Sequence, residues 1–287
     1  MYSTSFEYFR PKTLAEAAKL LKSKGARVLA GGHSLLPLMK LRMAQPRSLV
    51  DIGAIKGLSG IKTQGKGLAI GAMTTHAEIA ASALVRKNCP LLAETAEQIG
   101  DVQVRNRGTI GGSIAHADPA ADFPTALIAL GAAIVARGGK GERKIPAGKF
   151  FVDLFTTALK SGEIVTSILV PALAKGTGSA YLKHPHPASR YAVAGVAAIV
   201  EISGGRIRSA RLAVGGVTPN PVRVSAAEAA LEGQKPVAAA FEAAASKVPE
   251  ALEDPMGDNY ASGDFRVHLA SVLAKRALSA AADRAKG

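Results

Sequence analysis

The 287-residue chain has one cysteine, Cys89, and no tryptophan. A single thiol excludes an internal disulfide and leaves no cysteine set to ligate zinc or an iron–sulfur cluster. Redox chemistry here therefore calls for an organic cofactor. The six histidines (33, 76, 116, 184, 186 and 268) show no HExxH or similar metal spacing. No apolar run reaches the roughly 18–20 residues that cross a bilayer; the longest mild stretch, Tyr191 to Ile202, is rich in Ala and Val and too short. The N-terminus lacks the basic start and apolar centre of a signal peptide. These absences point to a cytoplasmic protein. Acidic residues are the scarcer charge, 22 against 36 basic, for a net charge of +14. That balance suits nucleic acid, an anionic cofactor or an acidic partner. The basic residues are dispersed except for a denser patch from Arg137 to Lys149, and aromatics to stack on bases are few. A solvated or subunit-facing surface is expected, and no nucleic-acid site.

What is present is an alternation of helical and strand-like segments. Thr13-Leu14-Ala15-Glu16 reads as a capping box opening a helix that stops at Gly25. A strand at 27–30, a helix at 34–41 and a strand at 48–52 complete a small α/β unit, residues 1–56. A strand at 67–73, helices at 75–85, 90–99 and 122–130, and strands at 132–136 and 164–171 flanking the basic loop make a larger unit, residues 57–176. Lys175-Gly176-Thr177-Gly178 reads as a linker. Strands at 179–183, 192–202 and 206–217 follow, the last two joined at Gly204-Gly205, a tight-hairpin signal. With alanine-rich helices at 225–232, 236–246 and 265–283, they predict a C-terminal unit, residues 177–287, built on a three-stranded antiparallel sheet.

Two glycine-rich turns carry the chemistry. Ala30-Gly31-Gly32-His33-Ser34 and Thr109-Ile110-Gly111-Gly112-Ser113 each sit where an apolar, strand-like run gives way to a new element. Glycine lets backbone approach a phosphate closely, and a helix start adds partial positive charge. Neither turn matches GxGxxG or GxxxxGK[ST], which counts against nicotinamide and P-loop sites. Two such turns, each with a hydroxyl (Ser34 and Ser113), suggest one pyrophosphate held by both.

Leu29 to Pro37, followed by Lys40-Leu41-Arg42, resembles the first FAD loop of molybdenum hydroxylase flavoprotein subunits, the medium subunits of carbon monoxide dehydrogenase-type and xanthine dehydrogenase-type enzymes. Val104 to Ser113, followed by Asp118-Pro119-Ala120-Ala121-Asp122, resembles the second. Phe6-Glu7-Tyr8, Gly71 to His76, Glu163 to Ile168, Lys183 and Ser189-Arg190-Tyr191-Ala192 extend the likeness over nearly the whole chain. The resemblance implies an α+β fold: two FAD-binding subdomains of the vanillyl-alcohol-oxidase/PCMH type, with the C-terminal sheet and helices closing one edge. It implies that residues 30–34 and 109–113 cradle the FAD pyrophosphate and ribityl region, mainly through backbone N–H groups. Ile99 would lie near the adenine, Asp122 would make a polar contact, and Ile164 and Val165 would pass main chain close to the isoalloxazine. Lys183 and Tyr191 would reach the flavin edge, where positive charge favours the reduced form. It also implies non-covalent FAD, although His33 and His76 raise the question of a covalent link. A small [2Fe-2S] subunit and a large molybdopterin subunit are the implied partners, in a dimer of heterotrimers, with the substrate oxidised on another chain.

Plainer readings stand beside several of these residues. His33 is a turn residue whose backbone matters, and His116 either hydrogen-bonds the ribityl chain or caps the next element. Asp122 also reads as a helix N-cap before Phe123-Pro124. Arg105 and Arg107 are either phosphate clamps or contacts to an acidic partner. Cys89, before Pro90, reads as a buried apolar residue, and His184-Pro185-His186-Pro187 as a rigid loop at the flavin end. Alternative functions are a stand-alone FAD-dependent oxidoreductase, for which no base or substrate pocket is identifiable, and a flavin-free assembly or binding protein.

Overall fold

The computed structural model describes residues 2–286. Its N-terminal part is a small parallel sheet of β1 (Glu7–Phe9), β2 (Ala26–Leu29) and β3 (Ser48–Asp51), in the order β1-β3-β2. Helices α1 (Leu14–Leu20) and α2 (Leu35–Lys40) make the crossovers that parallel strands require. At the start of α1 the Thr13 hydroxyl accepts from the Glu16 N–H, but the Glu16 carboxylate takes the Lys12 N–H instead of that of Thr13. Only half of the expected capping box forms there.

The middle part is an antiparallel sheet of β4 (Ile61–Gln64), β5 (Gly67–Gly71), β6 (Ala133–Gly138), β7 (Gly141–Pro146) and β10 (Ile164–Val170), in the order β4-β5-β10-β6-β7. The basic patch expected as a loop is largely the β6–β7 hairpin, whose exposed faces carry the charges. A two-stranded ribbon, β8 (Phe151–Asp153) with β9 (Thr156–Thr157), precedes β10. Six helices bridge β5 to β6: α3 (His76–Ala81), α4 (Ala83–Asn88), α5 (Pro90–Glu97), α6 (Val102–Arg107), α7 (Ile110–His116) and α8 (Asp122–Leu130). The single helix expected over 75–85 breaks at Ser82, which ends α3 and caps α4 by accepting from Val85 N–H. The complete capping box is at α3, where Thr75 and Glu78 satisfy each other's backbone N–H groups. Cys89 is fully buried in the core of this part, its thiol pushed up to about 12 by burial.

The C-terminal sheet has four strands where three were expected, in the order β11-β12-β13-β14: β11 (Thr177–Pro185), β12 (Ala192–Ser203), β13 (Arg206–Gly215) and β14 (Val222–Arg223). The fourth escapes a sequence reading because it is only two residues long, held by pairing with Ala213 and Val214. Helices α9 (Ser225–Leu231), α10 (Ala238–Ala245) and α11 (Gly263–Ala285) pack on one face. The other face meets the middle part. Along β12, Ala194, Val196, Ala198 and Val200 join the core under α9–α11, whereas Ala197 and Ile199 join the core around α8. Side chains of a strand alternate between faces, so a strand buried on both sides must be apolar throughout. That explains the uninterrupted Ala/Val run.

Candidate cofactor site

The two glycine turns, far apart in sequence, touch in the fold. A Cβ added at Gly31 would fall well inside 3 Å of the Arg107 carbonyl oxygen and within 3 Å of Gly108 Cα. A Cβ at Gly112 would come 3.6 Å from Ala30 Cβ. Only glycine allows this approach at position 31, and Gly32 adds a left-handed φ of 77° as the chain leaves β2 for α2.

The turns differ in how their backbone is employed. Among the described residues, the N–H groups of Gly31, Gly32, His33 and Ser34 donate to no protein acceptor. Those of the second turn are engaged: Ile110 with Thr74 O (3.1 Å), Gly111 with Ala72 O (2.8 Å), Gly112 with Thr109 Oγ1 (3.1 Å) and Ser113 with Thr109 O (2.9 Å). The second turn is not a strand-to-helix junction. It links two helices, α6 and α7, and Gly111 and Gly112 lie inside α7 with Thr109 as its cap. Close packing of Gly111 on Ala72, where a Cβ would come within 2.5 Å of the Ala72 Cβ, overrides glycine's poor helix propensity. Ala72 N–H in turn donates to Thr166 O at 3.0 Å, which ties this turn to the start of β10. There Ile164 and Val165 are buried in two different cores, on opposite faces of the strand.

His76 lies beneath the junction. Its N–H donates to Gly108 O at 3.0 Å, its Nε2 lies against Gly108, and its ring meets Phe123 edge-on at 5.2 Å. Burial, with smaller contributions from His33 and Arg105, lowers it to about 4, and Nδ1 has no partner. His33 itself is exposed. His116 ends α7, half-buried against Phe155 (5.1 Å), and burial lowers its pKa. Ile99 is half-buried at the edge of the middle core, and its carbonyl accepts from Arg105 at 3.0 Å. Arg105 also bonds Gly100 O (3.2 Å), so it clips the end of α5; Arg107 is exposed.

Asp122 and Lys183 come together at the seam between the middle and C-terminal parts. The expected N-cap role of Asp122 falls instead to Ala121, because the Asp122 side chain is turned inward. Asp122 accepts from Tyr181 OH at 2.6 Å and from Lys183 Nζ at 3.0 Å. Lys183 Nζ also donates to Gln98 O (2.7 Å) and Arg190 O (2.8 Å). Burial raises the Asp122 pKa and lowers that of Lys183, and their mutual attraction opposes both shifts. Tyr191 immediately precedes β12, its N–H donating to Ser189 Oγ at 3.3 Å, and burial lifts its phenol above the ordinary range. In the His184–Pro187 segment, His184 and Pro185 close β11, while His186 meets Tyr260 edge-on at 4.7 Å and accepts the Ala188 N–H.

Tyr181, Gln98 and Gly195 were not anticipated. Tyr181 stands two residues before Lys183, on the same face of β11, so the period of a strand would have found it once Lys183 was chosen. Gly195 pairs with Lys183 across the ladder, and a Cβ there would meet Tyr181 OH at 2.6 Å. Nothing in the sequence marks Gln98, which accepts from Lys183 through its main-chain carbonyl and donates its side-chain amide to Tyr181 O at 2.9 Å.

Facing glycine turns, one with free N–H donors and the other a close-packed wall, form a cradle that fits an extended phosphorylated cofactor. This defines a cofactor-binding protein of mixed helix and sheet. A family model described as the FAD binding domain in molybdopterin dehydrogenase matches residues 4–173, and one for the CO dehydrogenase flavoprotein C-terminal domain matches residues 179–281. The chain is 43% identical to the carbon monoxide dehydrogenase medium chain of Hydrogenophaga pseudoflava, over 98% of both. It is 39% identical to the glyceraldehyde dehydrogenase medium chain of Sulfolobus acidocaldarius, over 96% of this chain and 98% of that one. A solved structure of the Hydrogenophaga pseudoflava carbon monoxide dehydrogenase superposes with a TM-score of 0.96 at 44% identity, covering 99% of both chains. The chain belongs to the FAD-binding medium subunits of the molybdenum hydroxylases, oxidoreductases of the carbon monoxide and xanthine dehydrogenase type.

Proposed function

We propose that this chain is an electron relay in a heterotrimeric hydroxylase that assembles as a dimer of heterotrimers. FAD, held non-covalently, would supply the redox chemistry that links the [2Fe-2S] clusters of a small subunit to an external acceptor. The substrate is oxidised at molybdopterin on a large subunit. The contact between Gly31 and Arg107–Gly108, with four free N–H donors beside it, carries this reading.

Residues 30–34 hold the pyrophosphate through backbone donors. Thr109 to Ser113 act mainly by shape and through the Ser113 hydroxyl, since their N–H groups already donate within the protein. Ile99 borders the adenine, and His116 the ribityl chain. The main chain of Ile164 and Val165 would pass beside the ring, and Tyr191 would reach its edge. The saturated donors of Lys183 put its positive charge near that edge without a free N–H to offer. Residues 1–56 and 57–176 are the two FAD-binding subdomains, and 177–287 closes them. Relatives named for carbon monoxide and for glyceraldehyde share this chain's build, which supports substrate choice lying on another subunit. Among the described residues no helix is long and apolar enough to cross a membrane, in keeping with a cytoplasmic enzyme.

The complex that co-purifies with this chain from its native source is expected to carry FAD, iron, sulfide and molybdenum together, and denaturation should release all yellow colour. A chain that shows no flavin absorbance after reconstitution with FAD would sink the proposal. Colour that stays with the denatured polypeptide would refute non-covalent binding alone.

A further inference from the structure

Arg266, in the first turn of α11, is a buried cation that the cofactor site described above does not use. Its side chain is 8% exposed, and four of its five N–H groups are placed. Nη1 donates to Gly216 O (2.8 Å) and Val193 O (3.1 Å), Nη2 to Asp258 Oδ2 (2.6 Å), and Nε to Ala261 O (3.4 Å). A buried charge is costly unless its hydrogen bonds are met. Here one acceptor is a half-exposed carboxylate, and the other three are main-chain carbonyls.

Two of those carbonyls are ones that the sheet leaves over. Along β11, Pro185 pairs with Ala192 and His184 with Ala194, so Val193 is the extra residue of a bulge. Gly216 follows the end of β13 with a left-handed φ of 81°, and a Cβ there would come 2.6 Å from Ala192 O. The N–H groups at the same place serve another partner. Gly216 N–H donates to Pro119 O at 2.9 Å, and Ala192 N–H to Ala120 O at 3.1 Å. Pro119 and Ala120 belong to the tight turn Asp118–Ala121, closed by Ala121 N–H on Asp118 O (3.0 Å) and Ala120 N–H on Asp118 Oδ1 (2.9 Å). That turn joins α7, which carries Gly111 and Gly112, to Asp122 at the start of α8. A path of hydrogen bonds and peptide units thus runs from Arg266 to the segment between the second glycine turn and the seam.

We propose that Arg266 is a positioning residue of the cofactor site: it clamps the Val193 and Gly216 carbonyls, and so aims the two N–H groups that hold the Asp118–Ala121 turn. The turn in its place sets how α7 and Asp122 stand about the cofactor. Asp258 steadies the guanidinium, its other oxygen accepting the N–H groups of Tyr260 and Ala261 at 2.9 Å each. The inference rests on the FAD reading for the identity of what the site holds, but the clamp itself concerns only this chain.

The test uses the full chain and three variants. Arg266→Met keeps an extended side chain and removes its donors, and Arg266→Lys keeps the charge with its donors on one nitrogen. Leu278→Ala, further along the same helix and fully buried in the C-terminal core, lowers stability without touching the clamp. Arg266→Met should speed deuterium exchange at the Gly216 and Ala192 amides about tenfold. It should also weaken FAD binding about tenfold and alter the visible circular dichroism of the bound flavin. Arg266→Lys should recover part of all three. Leu278→Ala, at a comparable loss of melting temperature, should leave all three as in wild type. Exchange, affinity and spectrum in Arg266→Met that match those of Leu278→Ala overturn the proposal, because the guanidinium then only stabilises the fold. In the wild-type chain, FAD should slow exchange at these two amides at least ~3-fold and leave the exposed Gly139-Lys140 turn unchanged; no slowing overturns the proposal even if no variant folds. A wild-type chain that binds no FAD would refute the FAD reading, while exchange in Arg266→Met still decides the clamp.

Discussion

The first glycine turn has four N–H groups with no protein acceptor, whereas the second directs its N–H groups into its own scaffold, to Thr74, Ala72 and Thr109. Both are Gly-Gly followed within two residues by serine, and both meet at the same junction. The difference lies in what precedes them. A strand end delivers the first turn, so its backbone swings free of any ladder. The second enters a helix capped by Thr109, and its glycines serve close packing on Ala72. The first turn thus offers donors, and the second offers shape.

Gly31→Ala should give the largest effect. The added methyl collides with backbone, not with a flexible side chain, so one jaw must shift. Overpacking of this kind costs about 1–3 kcal/mol, and displacement of the donors should weaken FAD binding at least ~100-fold. Flavin content and thermal melting read the two separately. Near-normal flavin content in this variant would show that the turns need not touch.

His76 couples the turns to pH. Its folded pKa of about 4 lies below the ordinary value near 6.5, so the fold favours the neutral ring. Its contribution is complete above about 6.5 and is lost as the pH falls towards 4, amounting to at most about 3 kcal/mol. His76→Leu should flatten the fall in urea midpoint between about pH 7 and pH 4.5 relative to wild type. An identical slope in both proteins would move the acid sensitivity elsewhere.

The contrast between the turns was only half legible in sequence. Composition marked both glycine pairs, and the likeness to one family extended over nearly the whole chain. Hydrogen-bond acceptors for the second turn come from Ala72 and Thr74, over thirty residues away, and local patterns carry no trace of such partners. The same limit hid Gln98, whose partners Tyr181 and Lys183 lie over eighty residues away, and β14, whose two residues hold only by pairing with β13. Apolar runs and turn chemistry did carry the long elements: β12 and β13 and the hairpin at Gly204-Gly205 lie where the Ala/Val-rich run and the Gly-Gly turn put them. Asp122 shows how tertiary structure overrules a local signal. A carboxylate before Phe-Pro reads as a cap, yet burial beside Lys183 turns it inward and leaves the cap to Ala121.

The smallest effects separate the turns most cleanly. Thr109→Ala removes the cap of α7 and the acceptor for Gly112 N–H, a loss of about 1 kcal/mol in stability. FAD affinity should change little, because the donors of the first turn are untouched. Ser34→Ala should do the reverse. Ser34 makes no side-chain capping bond to α2, so its removal should alter stability by less than about 0.5 kcal/mol. Its hydroxyl makes no hydrogen bond to the protein among the described residues, however, and losing one neutral hydrogen bond from it to the cofactor should weaken FAD binding roughly 3- to 10-fold. Urea melts and flavin titration on the two variants form a crossed pair. If Thr109→Ala weakened binding as much as Ser34→Ala at equal stability, the second turn would be a donor jaw as well, and the division between donor and shape would fail.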